Sequence, residues 1–268
     1  MLLSPHRFFL SGVQVHSILV TNDDGIHSEG LIRLAEALDP LGKVTIVAPD
    51  RECSAASHAL TLHRPLRLRS VGERTYVVDG TPADCVYLGA LSVLERKPDL
   101  VASGINHGSN IGDDVTYSGT IAAAFEGTVL GIPSFAVSLA GDSEFDFGPA
   151  SIMARTIATR ILDRGIPSDL LLNINVPAGD VNGVRCTRQG KRMYRQFVSR
   201  IVDPRGKSGY WVGGGEASGL KQSEDTDYTA VKQGFVSVTP LQLDLTHGEA
   251  LEAMRGEWEQ DLNDGMHC

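Results

Sequence analysis

The chain has no apolar run near the ~20 residues that a membrane-spanning helix needs, so neither such a helix nor a membrane partner is expected. Its four cysteines, Cys53, Cys85, Cys186 and Cys268, show no CxxC spacing. That excludes a zinc knuckle and a disulfide framework, and suits a reducing cytoplasm. Positive charge is also scarce: 24 Lys and Arg against 33 Asp and Glu leave a net charge of −9, which lacks the basic clusters that hold a nucleic-acid backbone. A small anionic substrate stays compatible if a bound cation supplies the missing charge. There is no GxGxxG after the first strand-like run and no HExxH, so those dinucleotide and zinc fingerprints are absent. Gly206-Lys207-Ser208 mimics the end of a P-loop, but Ile201 stands where its first glycine belongs. Repeats and low-complexity tracts are missing too.

What the chain does have is enough apolar sequence, 42% of its 268 residues, to build a substantial core. Short apolar runs recur at 17–21, 44–48, 75–78, 99–103, 134–138 and 170–176, and their continuity predicts strands buried on both faces. Helical patterns lie between several of them, at 30–38, 82–94, 120–130 and 151–163. Alternation of this kind predicts an α/β fold, a mostly parallel sheet with helices on both faces. Thr81 followed by Pro82 reads as a helix cap and first turn. Residues 1–16 read as an N-terminal extension, 17–250 as the α/β domain and 251–268 as a C-terminal tail. Within the domain, 192–234 is turn-rich and irregular and reads as a projecting β-hairpin arm.

In parallel sheets, ligands bind beyond the carboxyl ends of the strands. Three loops directly follow strands and should share that rim: NDDG at 22–25, PDRECSAASH at 49–58 and the long Gly104–Ser118 stretch. The first holds Asp23 and Asp24 side by side. A turn or a helix cap needs only one such carboxylate, and adjacent like charges are costly unless solvent or a cation relieves them. The pair therefore points to a hard divalent cation, Mg²⁺ or Mn²⁺. Ser54 and Asn106 are neutral oxygens on the other two loops. Tyr117-Ser118-Gly119-Thr120 leads into an Ala-rich helix, whose free N–H groups can hold a phosphate or be capped by Ser118 or Thr120. The histidines of the rim loops, His107 among them, read as bystanders.

Together ILVTNDDGIHSEGL, VTIVAPDRECSAASHALTLHRPLR, VDGTPADCVYLGA, KPDLVASGINHGSNIGDDVTYSGTIAAAFEG, DPRGKSGYWVGG and GFVSVTPLQLDLT resemble the SurE (survival protein E) 5′/3′-nucleotidases, in order, over roughly residues 17 to 247. The resemblance implies a Rossmann-like core and a metal-dependent phosphatase of nucleoside monophosphates, with Co²⁺ a further candidate for the one cation per subunit. It also implies a homodimer or homotetramer built through C-terminal arms. By position, it implies metal ligation by Asp23, Asp24, Ser54 and Asn106, and phosphate binding by Asn110, Ser118, Gly119 and Thr120. Asp23, Asp24, Asn110 and Ser118 are the candidate catalytic residues, while no role transfers to His107. Two rivals remain at this point. A phospho-accepting receiver module also carries an acidic pair after its first strand, but needs a lysine late in its sheet, and none occurs between Lys97 and Lys191. A phosphatase with an aspartyl nucleophile would trap phosphate on Asp23 or Asp24.

Overall fold

The structure is a computed structural model that describes residues 15–141, 146–191, 195–215 and 223–266. Residues 1–14 of the expected extension lie outside the described residues, and the first strand already begins at His16. Among the described residues eleven strands are formed: β1 (His16–Thr21), β2 (Gly42–Pro49), β3 (Leu68–Gly72), β4 (Thr75–Val78), β5 (Leu100–His107), β6 (Ser134–Leu139), β7 (Leu170–Val176), β8 (Val184–Cys186), β9 (Arg195–Val202), β10 (Ser208–Gly215) and β11 (Val236–Gln242). The α-helices of the described residues are α1 (Glu29–Leu38), α2 (Pro82–Leu88), α3 (Gly119–Val129), α4 (Gly148–Arg164), α5 (Asp227–Lys232) and α6 (Gly248–Met266).

Nine strands form one sheet in the order β3-β4-β2-β1-β5-β6-β7-β11-β8. Pairing from β4 across to β7 is parallel throughout, and β3 and β11 join antiparallel to β4 and β7. The continuous apolar strands are explained by what covers them. In β1, Ile18 and Val20 pack into the layer of α1 and α4, while Leu19 between them packs into the layer of α2. All three are wholly buried. On α1 the buried Leu31, Leu34 and Leu38 recur at helical spacing, and truncating one such leucine to alanine costs about 2–5 kcal/mol. Helix α2 opens on the expected cap: Thr81 Oγ1 accepts from Asp84 N at 3.1 Å, and Asp84 Oδ2 accepts from Thr81 N at 2.9 Å.

The structure departs from the sequence reading in four places. The 82–94 helix leaves α-geometry at Leu88 and continues through a wider turn, Gly89–Val93, in which Leu94 N donates to Gly89 O. Strand β5 runs on past Ser103 to His107, because buried Ile105 keeps the chain in the sheet after a register shift between Ser103 and Asn106. Asn106 thus stands on a strand end rather than within a loop. Strands β3 and β11 and helix α5 carry weak apolar patterns and were not anticipated as elements. The residues after 251, read as a tail, belong to a helix that starts at Gly248.

The described part of 192–234 begins as a hairpin. Strands β9 and β10 pair antiparallel from Ser208↔Val202 to Gly215↔Arg195, separate from the main sheet. Exposed Val198, Tyr210, Trp211 and Val212 line it. Residues 192–194 and 216–222 lie outside the described residues. Further along, the chain returns to the body: Asp227 is wholly buried, with its carboxylate accepting from Gly112 N at 2.9 Å and Gly190 N at 2.8 Å. Among the described residues, no helix is long and apolar enough to cross a membrane.

Candidate active-site cleft

The carboxyl ends of β1 and β5 and the start of α3 border a cleft of about 780 Å³, whose wall includes Asp23, Asp24, Ser54, Asn106, Asn110 and Ser118. The turn that carries the acidic pair is set by Gly25, whose φ of +93° lies in the region that glycine tolerates. Asn22 Nδ2 closes the turn on Gly25 O at 3.1 Å. The second loop is tied to the first, with Cys53 N donating to Asp23 O at 2.7 Å. The third loop contains a short 3₁₀ turn, Gly112–Thr116, and the Asp227 bonds described above hold it from behind.

Asp23 is 5% exposed and sits against the first turn of α3. That approach requires Gly119, since a Cβ there would lie 2.8 Å from Asp23 Cβ. The Thr120 hydroxyl makes a short hydrogen bond to Asp23 Oδ1 and also lies 3.1 Å from Asn106 Oδ1. Burial pushes the Asp23 carboxyl up to about 6 even though the Thr120 hydroxyl holds it down, and the charge of Asp24 adds to the rise. A carboxylate that is difficult to ionise alone, with a second acid beside it, is a place where a cation is stabilised.

Asn106 presents its oxygen by default. Its amide nitrogen donates to Gly108 O at 2.8 Å, which turns Oδ1 toward Thr120 and Asp23. Ser54 lies on the cleft wall with its hydroxyl donating to Glu52 Oε1 at 2.6 Å, so the lone pairs of its oxygen stay available to a ligand. Asp23, Asn106 and Thr120 are thus in one hydrogen-bonded group; Asp24 and Ser54 border the same cleft. Among the described residues no group of three or more His, Cys, Asp or Glu side chains gathers as a metal cluster. The candidate set is instead two carboxylates with amide and hydroxyl oxygens, the donors that hard cations take.

On the other side of the cleft, Ser118 caps α3, its Oγ accepting from Ile121 N at 3.1 Å. The four residues assigned to phosphate are all buried, and the Thr120 hydroxyl is turned to Asp23. Asn110 is fixed in a buried amide network that sequence reasoning missed. Its N–H donates to Asn175 Oδ1 at 2.8 Å, its Nδ2 to Ser138 Oγ at 2.9 Å, and its carbonyl accepts from Asn173 Nδ2 at 2.8 Å. Two asparagines inside the apolar run LLLNINV were the available signal, because a buried amide demands partners. The second omission is His107, whose Nδ1 lies 2.9 Å from Asp24 Oδ2.

The family model described as Survival protein SurE matches residues 18–196. The chain is 50% identical over 239 residues to a protein of Syntrophotalea carbinolica named 5′-nucleotidase SurE, covering 88% of this chain and 95% of that one. It is also 50% identical over 247 residues to the protein of that name from Geobacter sulfurreducens, covering 91% and 94%. Among solved structures, the SurE protein of Aquifex aeolicus superposes with a TM-score of 0.80 at 46% identity, covering 89% of this chain and 98% of that chain. These matches, at about half identity over most of each chain, do not favour the receiver reading, and the chain belongs to the SurE family.

Proposed function

We propose that this chain is a 5′-nucleotidase, a phosphohydrolase of nucleoside 5′-monophosphates, with 3′-monophosphates as a second substrate class. The observation that carries the reading is a single cleft that joins the buried Asp23, the half-buried Asp24 beside it and the amide oxygen of Asn106 to a helix N-terminus. The curated relatives at 50% identity bear the same activity in their names.

The donor set fits one divalent cation per subunit, Mg²⁺ or Mn²⁺, with Co²⁺ a further candidate. Every atom offered is oxygen, and the buried Asp23 with its neighbour Asp24 needs positive charge. Asp23, Asp24, Ser54 and Asn106 would hold the ion. When bound, such a cation polarises phosphoryl oxygens and lowers the pKa of a water at the site. Asp23 and Asp24 offset its formal charge. Ser118 as the cap and Gly119 and Thr120 in the first turn form the N-terminal end of α3, where the helix end favours the negative charge of a phosphate. Asn110, held by Asn173, Asn175 and Ser138, offers a preorganised amide to the same oxygens. The Thr120 hydroxyl serves the acids, so its part toward phosphate passes through the backbone.

The cell compartment in this reading is the cytoplasm, and the hairpin β9–β10 is an oligomerisation arm of a homodimer or homotetramer, since its exposed Tyr210 and Trp211 lack a local core. The activity is tested by phosphate release from a panel of 5′- and 3′-mononucleotides with Mn²⁺, Mg²⁺, Co²⁺ or chelator. Silence across the panel with every metal would refute it. Acid-quenched turnover of labelled substrate separates attack by water, which leaves the protein unlabelled, from an aspartyl-phosphate intermediate, which labels it.

A further inference from the structure

We infer that His107 is a positioning residue that fixes the rotation of Asp24 for the cation. The inference rests on the metal-dependent reading above, and concerns a residue to which the sequence assigned no role. Two donors of His107 converge on one atom: its Nδ1 lies 2.9 Å and its backbone N 3.4 Å from Asp24 Oδ2. An ionised carboxylate only accepts hydrogen bonds, so Nδ1 carries the hydrogen. One oxygen of Asp24 is thereby committed, and the carboxylate can no longer turn freely about its χ2 bond.

The imidazole is itself held. It meets the Phe147 ring edge to face, with centroids 5.1 Å apart and planes at 87°. Phe147 is 4% exposed and packs into the core shared by α1 and α4. The orientation of Asp24 is therefore connected through His107 to the hydrophobic core. The same short stretch of chain also aims the other wall of the site, because Asn106 Nδ2 donates to Gly108 O at 2.8 Å and leaves its oxygen directed inward. Residues 106–108 thus prepare two candidate ligands at once, Asn106 directly and Asp24 through His107. A carboxylate ligand left without its hydrogen-bond partner typically loses about 10- to 100-fold in metal affinity.

The test is Mn²⁺ binding to the full chain without substrate at one fixed pH, reading free Mn²⁺ by electron paramagnetic resonance. His107→Ala should raise the Kd about 10- to 100-fold. His107→Asn should stay within a few-fold of wild type, because its amide nitrogen falls near the place of Nδ1 and can donate to the same oxygen. Melting of both variants in chelator checks that each is folded. Wild-type affinity in His107→Ala would overturn the inference while leaving the nucleotidase reading intact. Equal losses in both variants would also overturn it, by placing the role in ring packing on Phe147. A wild-type protein that binds no Mn²⁺ would instead bring down the metal-dependent reading, and the inference with it.

Discussion

Replacing the Asp23 carboxylate by the amide of asparagine should stabilise the protein when divalent cations are withheld. The carboxyl group is pushed from its ordinary value near 3.8 up to about 6, first by burial and then by Asp24, against the opposing pull of Thr120. A raised folded-state pKa means that folding favours the protonated acid. Its contribution is fully present below about pH 4 and is lost as pH rises through about 6. From 3.8 to about 6, at about 1.4 kcal/mol for each tenfold change, the cost of ionising Asp23 in the fold reaches about 3 kcal/mol at neutral pH. The substituted amide would bear no charge, and its oxygen can still accept from the Thr120 hydroxyl. Urea unfolding in chelator at fixed protein concentration should therefore show the Asp23→Asn variant up to about 3 kcal/mol more stable near pH 7.5, and close to wild type near pH 4. In melting temperature the neutral-pH gain is roughly 6–12 °C. The reasoning is refuted if the variant is less stable than wild type near neutral pH, or if both proteins keep the same pH slope between about 4 and 6.

Asn106→Ala should shift half-saturation to higher Mn²⁺, with lost turnover partly recovered by excess metal. Ser118→Ala should leave the Mn²⁺ curve in place, lower turnover or substrate affinity by about 1.5–3 kcal/mol, the worth of one charge-assisted hydrogen bond, and weaken inhibition by inorganic phosphate; the opposite pattern in the pair contradicts the division of the cleft. Gly119→Ala should separate α3 from Asp23, because the new Cβ would meet Asp23 Cβ at 2.8 Å; lower activity with retained far-UV circular dichroism is expected, and unchanged activity counts against the close approach. Deleting residues 195–215, which spares the buried Asp227, should lower the mass seen by light scattering; an unchanged mass removes the arm from the assembly.

Much of the fold was legible because the strands are buried on both faces: Ile18, Leu19 and Val20 read as one apolar run whichever layer each enters. Strand β3, exposed along its length, gives no such run, and β11 carries the buried Ser237 and Thr239, whose polarity hides the strand, and Pro240, which lacks the N–H of a strand residue. In the cleft, the adjacency of Asp23 and Asp24 was visible as an electrostatic cost that needed a reason. What could not be read is any pairing across the chain. The contact of His107 with Asp24 spans 83 residues, and that of Asn110 with Asn175 spans 65. Local propensity carries no trace of either. The family resemblance assigns Thr120 to phosphate, and that its hydroxyl also bonds the buried Asp23 follows from the approach of α3 to β1, which no local pattern shows.

The central claim is that the carboxylate pair carries out metal-dependent hydrolysis of a nucleoside monophosphate. Its most direct measurement is phosphate release from a 5′-mononucleotide as Mn²⁺ is titrated into chelator-treated protein, for wild type beside Asp24→Asn. The account predicts no release in chelator, a saturable rise with Mn²⁺ for wild type, and a nearly flat response for the variant. Release that persists in chelator, or a variant that follows the wild-type curve, would contradict it.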